Sequence, residues 1–174
     1  MIKNIKLFFF LSLALVIFFV MLKGLNNLNK YSKEIKTTKI DPDILFKTLY
    51  LEKDVNLKQL TDKNEIYLIN IWASWCLPCK DEHSFLMRLK KDKINIIGLN
   101  YKDTKSNAKK FIKNLGNPYS EILIDSNGTK SIELGAIGVP ETYLIHANSN
   151  KVIKKFVGPL SKENYQEIIN LIKK

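Results

Sequence analysis

The chain has 174 residues, 45% of them hydrophobic and 10% aromatic, with 28 basic against 17 acidic side chains and a formal net charge of +11. This is one ordinary domain plus a terminal segment, apolar enough for a packed core, which excludes a disordered chain. The basic surplus suits nucleic acid, an anionic membrane or acidic partners, but the lysines are scattered and no nucleic-acid motif accompanies them, so it reads as a solvated basic surface held near a membrane and no nucleic-acid partner is expected.

Residues 1–23 read as a single membrane-spanning anchor. Leu7 to Leu22 is apolar apart from Ser12, with Lys3 and Lys6 before it and Lys23 after it. As helix, residues 7–22 reach roughly 24 Å, and snorkelling by Lys6 and Lys23 extends this toward the ~30 Å hydrocarbon core. Met21-Leu22-Lys23-Gly24-Leu25 is a poor cleavage site, which favours a retained anchor over a signal peptide. The short basic N-terminus implies that the rest is exported. Residues 24–40, with four lysines against Glu34, read as a juxtamembrane linker.

Residues 41–174 form the expected globular domain. A short strand is expected within Ile44–Leu51, and a further local element around Val55, Leu57 and Leu60. Ile66–Trp72 and Ile94–Leu99 are apolar on both faces, as in the centre of a parallel sheet. Ala108, Phe111, Ile112 and Leu115 follow helical spacing, and Gly116 and Pro118 stop that helix. Glu121–Asp125 reads as a strand, Thr142–Ile145 and Val152–Val157 as a hairpin, and Ser161 as the cap of a last helix bearing Tyr165, Ile168, Ile169 and Ile172. The class is α/β with a mixed sheet.

The only two cysteines, Cys76 and Cys79, stand between the strand Ile66–Trp72 and an amphipathic stretch with Phe85, Leu86 and Leu89. A helix N-terminus presents unpaired N–H groups and partial positive charge, which lowers a thiol pKa from about 8.5 toward 7 or below. Cys76 then attacks a disulfide and Cys79, one turn on, resolves the mixed disulfide. A structural disulfide closing so short a loop constrains the unfolded chain little. A zinc site needs two more ligands, and His83 and His146 are isolated, so no metal is expected. Haem attachment requires His after the second cysteine, where Lys80 stands. The reading is a redox dithiol, with no bound cofactor.

The order of elements, with Trp72-Ala73-Ser74-Trp75-Cys76-Leu77-Pro78-Cys79-Lys80 at a strand–helix junction, resembles the thioredoxin fold. Asn70-Ile71-Trp72, Glu82-His83, Gly98–Asp103, Leu115–Tyr119 and Gly138–Ile145 narrow the resemblance to the membrane-tethered thioredoxin-like proteins of cytochrome c maturation, the DsbE/CcmG type. The resemblance runs from about Asp41 to the end. It implies that Cys76 attacks and Cys79 resolves, and that Pro140 is a cis-proline facing the dithiol. Val139 would pair with an extended client segment. Asn70 stands where general thioredoxins carry a buried acid, so Glu82 is the candidate acid in its place, against a solvated first-turn carboxylate. Trp75 would shield one side of the dithiol, Tyr101 and Asp103 would lie toward the active-site edge, and Glu141 would line an acidic groove or form a surface salt bridge. His83 is expected on a helix surface.

The resemblance further implies a protein-disulfide reductase in the periplasm, tethered to the bacterial cytoplasmic membrane. Its client would be the haem-binding cysteines of apocytochrome c, or a cytochrome c maturation component carrying that disulfide. An integral-membrane thiol transporter would be its electron donor. The alternatives are a tethered reductase for other envelope clients, a Cu(I)-delivery protein for which His146 is the available distal histidine, and a docking module in which redox turnover is incidental.

Overall fold

The computed structural model describes residues 2–31, 39–61 and 66–173. It divides into two units, residues 1–36 and 37–174. The first is a single helix, α1 (Ile2–Tyr31), whose backbone continues past Lys23 into the expected linker; residues 32–38 of that linker lie outside the described residues. Its described side chains run from Phe9 to Lys23, and the large apolar ones are exposed all round, from 77% at Phe10 to 43% at Leu22. Among the described residues no helix is long and apolar enough to cross a membrane.

The second unit is a seven-stranded mixed sheet flanked by helices. In chain order it contains β1 (Phe46–Thr48), β2 (Asp54–Val55), α2 (Leu57–Leu60), β3 (Ile66–Trp72), α3 (Leu77–Lys91), β4 (Ile96–Tyr101), α4 (Lys105–Leu115), β5 (Glu121–Asp125), α5 (Thr129–Glu133), β6 (Glu141–His146), β7 (Lys151–Val157) and α6 (Lys162–Ile172). The strand order is β2-β1-β5-β4-β3-β6-β7, with β3, β4 and β5 parallel and the outer pairs antiparallel. This is the thioredoxin-like arrangement that the resemblance implies. It begins slightly before Asp41: the Ile40 N–H donates to the Asn150 carbonyl at 2.9 Å and its side chain is buried. The short helix α5 carried no apolar periodicity of its own. It forms because buried Asp125 accepts from the N–H groups of Lys130 and Ser131 and from the Ser131 hydroxyl.

Strand alternation divides the core into two layers. On one face Leu68, Trp72, Ile96, Ile122 and Leu144 meet Leu86 and Leu89 of α3, Phe111 and Ile112 of α4 and Ile168 of α6. On the other, Tyr67, Ile69, Ile71, Ile97, Leu99, Tyr143 and Ile145 pack with Ile40, Phe46, Leu57 and Leu134. The helix ends follow the local chemistry: Thr104 caps α4 through its hydroxyl, Gly116 ends it at φ 90°, and Ser161 forms a capping box with Asn164.

Gly98 on β4 is a point of close approach. A Cβ there would meet the Tyr119 ring at 2.8 Å, and Tyr119 stacks on Trp72 with centroids 5.5 Å apart. Gly98→Ala is therefore expected to lower stability by about 1–3 kcal/mol through overpacking, read as a fall in the denaturation midpoint at unchanged m-value.

Candidate active site

Strand β3, central in the sheet, ends at Trp72, and α3 starts five residues further on. Cys76 is the N-cap of α3, its sulfur accepting from the Cys79 N–H at 3.1 Å, and Pro78 sits in the first turn, where no intrahelical N–H is lost. The two cysteines are joined by a disulfide with Cα atoms 5.3 Å apart. When the pair is reduced, the same N–H group and helix terminus favour a thiolate at Cys76.

The loop before the helix is fixed from β4. Asp103 accepts from the Ser74 N–H at 2.7 Å and the Ser74 hydroxyl at 2.9 Å, and also from Asn100 Nδ2 and the Thr104 N–H. Next to it Lys102, in the left-handed region at φ 44°, turns its carbonyl to accept from the Trp75 indole N–H at 3.0 Å. Trp75 is thus exposed yet oriented. Asp103→Ala leaves the Ser74 N–H without its partner. The expected result is a loss of about 1–3 kcal/mol together with slower disulfide exchange, measured on the same preparation by denaturation and by stopped-flow.

Glu82 lies one turn beyond Cys79 on the same face of α3 and is completely buried, as is Cys79 apart from 1%. It is therefore not a solvated first-turn carboxylate. Its oxygens accept from Asn70 Nδ2 at 2.8 Å and from the Leu160 N–H at 2.8 Å. Asn70 also donates to the Thr142 hydroxyl and accepts from the Tyr119 hydroxyl, so the polar groups under the dithiol form one connected network. Burial raises the Glu82 pKa to about 7, against the lowering effect of its two hydrogen-bond donors. A carboxyl balanced there exchanges protons at neutral pH.

The Val139–Pro140 peptide bond is cis. Asn70 pairs with Thr142 and Ile71 with Glu141. Continuing this register sets Pro140 level with Trp72 and Val139 level with Ala73, and Val139 packs against the layer that contains both cysteines. Glu141 and Tyr101 do not join them. Alternation places Glu141 with Ile71 and Tyr143, and Tyr101 with Leu99, on the opposite face of the sheet. Glu141 is accordingly neither a groove acid nor a surface ion pair. It is buried, paired with Lys155 at 2.8 Å, and accepts from the N–H groups of Ile137 and Gly138 and from the Tyr143 hydroxyl. Its contacts hold the loop that leads into Pro140.

The histidines also depart from expectation. His83 is buried, its ring edge-on to Phe111 and its Nε2 3.0 Å from the Gly116 carbonyl, and burial lowers its pKa. It anchors the end of α4 to α3. His146 pairs with Ile66, at the end of β6 remote from the dithiol, and so provides no third ligand for a copper ion held by Cys76 and Cys79. Among the described residues no group of three or more His, Cys, Asp or Glu is placed to hold a metal.

A helix-capped Cys-x-x-Cys disulfide at the end of a central strand, with a buried carboxyl behind its second cysteine, defines a thioredoxin-like thiol:disulfide oxidoreductase. The Redoxin family model matches residues 36–169. The thiol:disulfide interchange protein DsbE of Vibrio cholerae is 37% identical over 164 residues, covering 87% of this chain and 86% of that one. CycY of Rhizobium leguminosarum, also a thiol:disulfide interchange protein, is 46% identical over 64% of this chain and 61% of its own length. A secreted thiol-disulfide isomerase from Corynebacterium glutamicum superposes with a TM-score of 0.66 at 20% identity, covering 81% of this chain and 95% of that one, a likeness of fold. The chain belongs to the redoxin family and, within it, to the thiol:disulfide interchange proteins of the DsbE type.

Proposed function

We propose that the protein is a reductant of client disulfides in cytochrome c biogenesis, held to the outer side of the bacterial cytoplasmic membrane by α1. The observation that carries the direction is the burial of Glu82 behind Cys79. A carboxyl in that position disfavours a second negative charge on Cys79, and Leu77 and Pro78 between the cysteines bring no cation to stabilise a thiolate. Strong oxidants of this class owe their potential to a stabilised reduced form; a Cys79 held neutral beside Glu82 lacks that stabilisation, which supports a dithiol that gives electrons away.

The Cys76 thiolate attacks one sulfur of the client disulfide. A Cys76–client S–S bond forms, the client's own bond breaks, and its second sulfur leaves as a thiolate and takes up a proton. Glu82 accepts the proton of the Cys79 thiol, and the resulting thiolate attacks Cys76 Sγ. Closure of the Cys76–Cys79 bond releases the client's first sulfur, so two electrons have passed to the client. The dithiol is the redox centre and no bound cofactor is required. Trp75 directly precedes Cys76, and the register of β3 with β6 sets Val139–Pro140 level with the end of β3, where the backbone of Val139 is available to an extended client segment.

The resemblance to cytochrome c maturation proteins supports the haem-binding Cys-x-x-Cys-His segment of apocytochrome c, or a partner carrying that disulfide, as client. It likewise supports a membrane thiol transporter as donor. The exposed apolar side chains from Phe9 to Leu22 support a membrane attachment, and the resemblance supports a periplasmic catalytic domain. Equilibration of the full-length protein with glutathione tests the reading. A potential near that of thioredoxin, about −270 mV, with reduction of an oxidised Cys-x-x-Cys-His peptide, is the expected result; a value near −120 mV would make the protein a disulfide donor.

A further inference from the structure

Ser74 and Trp75, which directly precede Cys76, line a groove of about 410 Å³ together with Lys80 of α3 and with Asn107, Lys110, Phe111, Asn114 and Leu115 of α4. We infer that this groove is a recognition site for an extended, acidic segment flanking the reactive cysteine of the client. The inference rests on the chain being a disulfide-exchange protein and adds the charge class of what it exchanges with.

Every charged side chain that lines the groove is a lysine. Lys80 and Lys110 are both exposed and come from different helices, so they present positive charge on both walls. Asn107 and Asn114 stand seven residues apart on one stripe of α4, which places them about 10 Å apart along its axis. That is the length of three residues of extended chain, and each amide offers a donor and an acceptor to a peptide backbone. Phe111 is buried between them and Leu115 is 41% exposed, giving the groove an apolar floor and rim. Trp75 is 58% exposed, yet its indole N–H is held by the Lys102 carbonyl, so the ring meets a ligand without first having to be ordered. Because Trp75 directly precedes Cys76, a chain lying on that ring continues to the attacking sulfur.

The test uses the full-length reduced protein in neutral detergent and three short peptides. Each has one Cys-x-x-Cys disulfide, flanked by Asp-Glu, Ser-Gln or Lys-Lys. Rates are divided by the rate of the same protein with hydroxyethyl disulfide, which removes any change in the dithiol itself. The expected ratio of acidic to basic peptide is about tenfold at low salt, falling as salt is added, and dropping below one in Lys80→Glu/Lys110→Glu. A ratio within twofold of one in the unaltered protein, or one that survives the charge reversal, would overturn the inference. If the protein proves to be a disulfide donor, the same ratio is read from oxidation of the dithiol peptides, so the groove and the direction of electron flow are judged separately. Serine-for-cysteine peptides, which cannot exchange, are expected to shift the side-chain amide signals of Asn107 and Asn114. Phosphatidylglycerol vesicles shifting those signals where the acidic peptide does not would also overturn it.

Discussion

Cys76→Ser is expected to reduce turnover of a disulfide substrate to near the uncatalysed background, because the one thiol that remains, Cys79, is buried inside the first turn of α3 and is not the helix-capping nucleophile. Cys79→Ser is expected to behave differently. Its Cys76 remains at the N-cap of α3, with the N–H of residue 79 still directed at the sulfur. The first half-reaction then proceeds and the second cannot, so one equivalent of client accumulates as a covalent adduct. Non-reducing electrophoresis and intact mass measure both results. A Cys76→Ser protein that still supports cytochrome c assembly would show that docking, and not electron transfer, is what the domain supplies.

Glu82→Gln should change both stability and kinetics with pH. The folded-state pKa of about 7 lies above the ordinary carboxyl value of 4.5. Between those values the folded protein holds a proton that the unfolded chain has released, so the Glu82 contribution to stability falls as pH rises through this window. The change approaches 3 kcal/mol at ~1.36 kcal/mol per pH unit. His83 acts in the opposite sense, since burial lowers its pKa and acid favours the unfolded, protonated ring. The two effects are separated by comparing the unaltered protein with Glu82→Gln. Between pH 4.5 and 8 their stability difference is expected to move by about 3 kcal/mol in favour of the variant. At pH 7 the amide cannot take the Cys79 proton, so release of the client from its mixed disulfide is expected to slow about 10²-fold. Single-turnover kinetics would read this as a persistent Cys76 adduct. A pH-independent stability difference would show that Glu82 titrates normally in the folded protein.

The regular elements were legible because their causes are local. Ile66–Trp72 is apolar on both faces and became a central strand; Ala108, Phe111 and Ile112 share one helical face and were buried. Ser161 and Gly116 terminate helices by interactions within four residues. The sulfur pair was legible for the same reason, since a strand, a three-residue cysteine spacing and a helix start all lie within a dozen residues. Helix α5 was missed because its N-terminal N–H groups are satisfied by the side chain of Asp125, not by periodicity.

By itself the sequence determined the α/β class, the position of the dithiol and its chemistry as a nucleophilic pair at a helix start. Only the tertiary structure decided the environment of the titratable groups around it. Glu82 has a raised pKa because distant segments bury it, against the lowering effect of the Leu160 N–H, 78 residues away, and of the strand side chain of Asn70. His83 is buried because α4 packs over it, and Glu141 and Tyr101 turn from the dithiol because α3 covers the other face of the sheet. Asp103 became the tie that holds Ser74 because parallel pairing of β3 and β4 brings their ends together. Periodicity and capping act over a few residues and are written in the chain; desolvation and register depend on which distant segments close over a site.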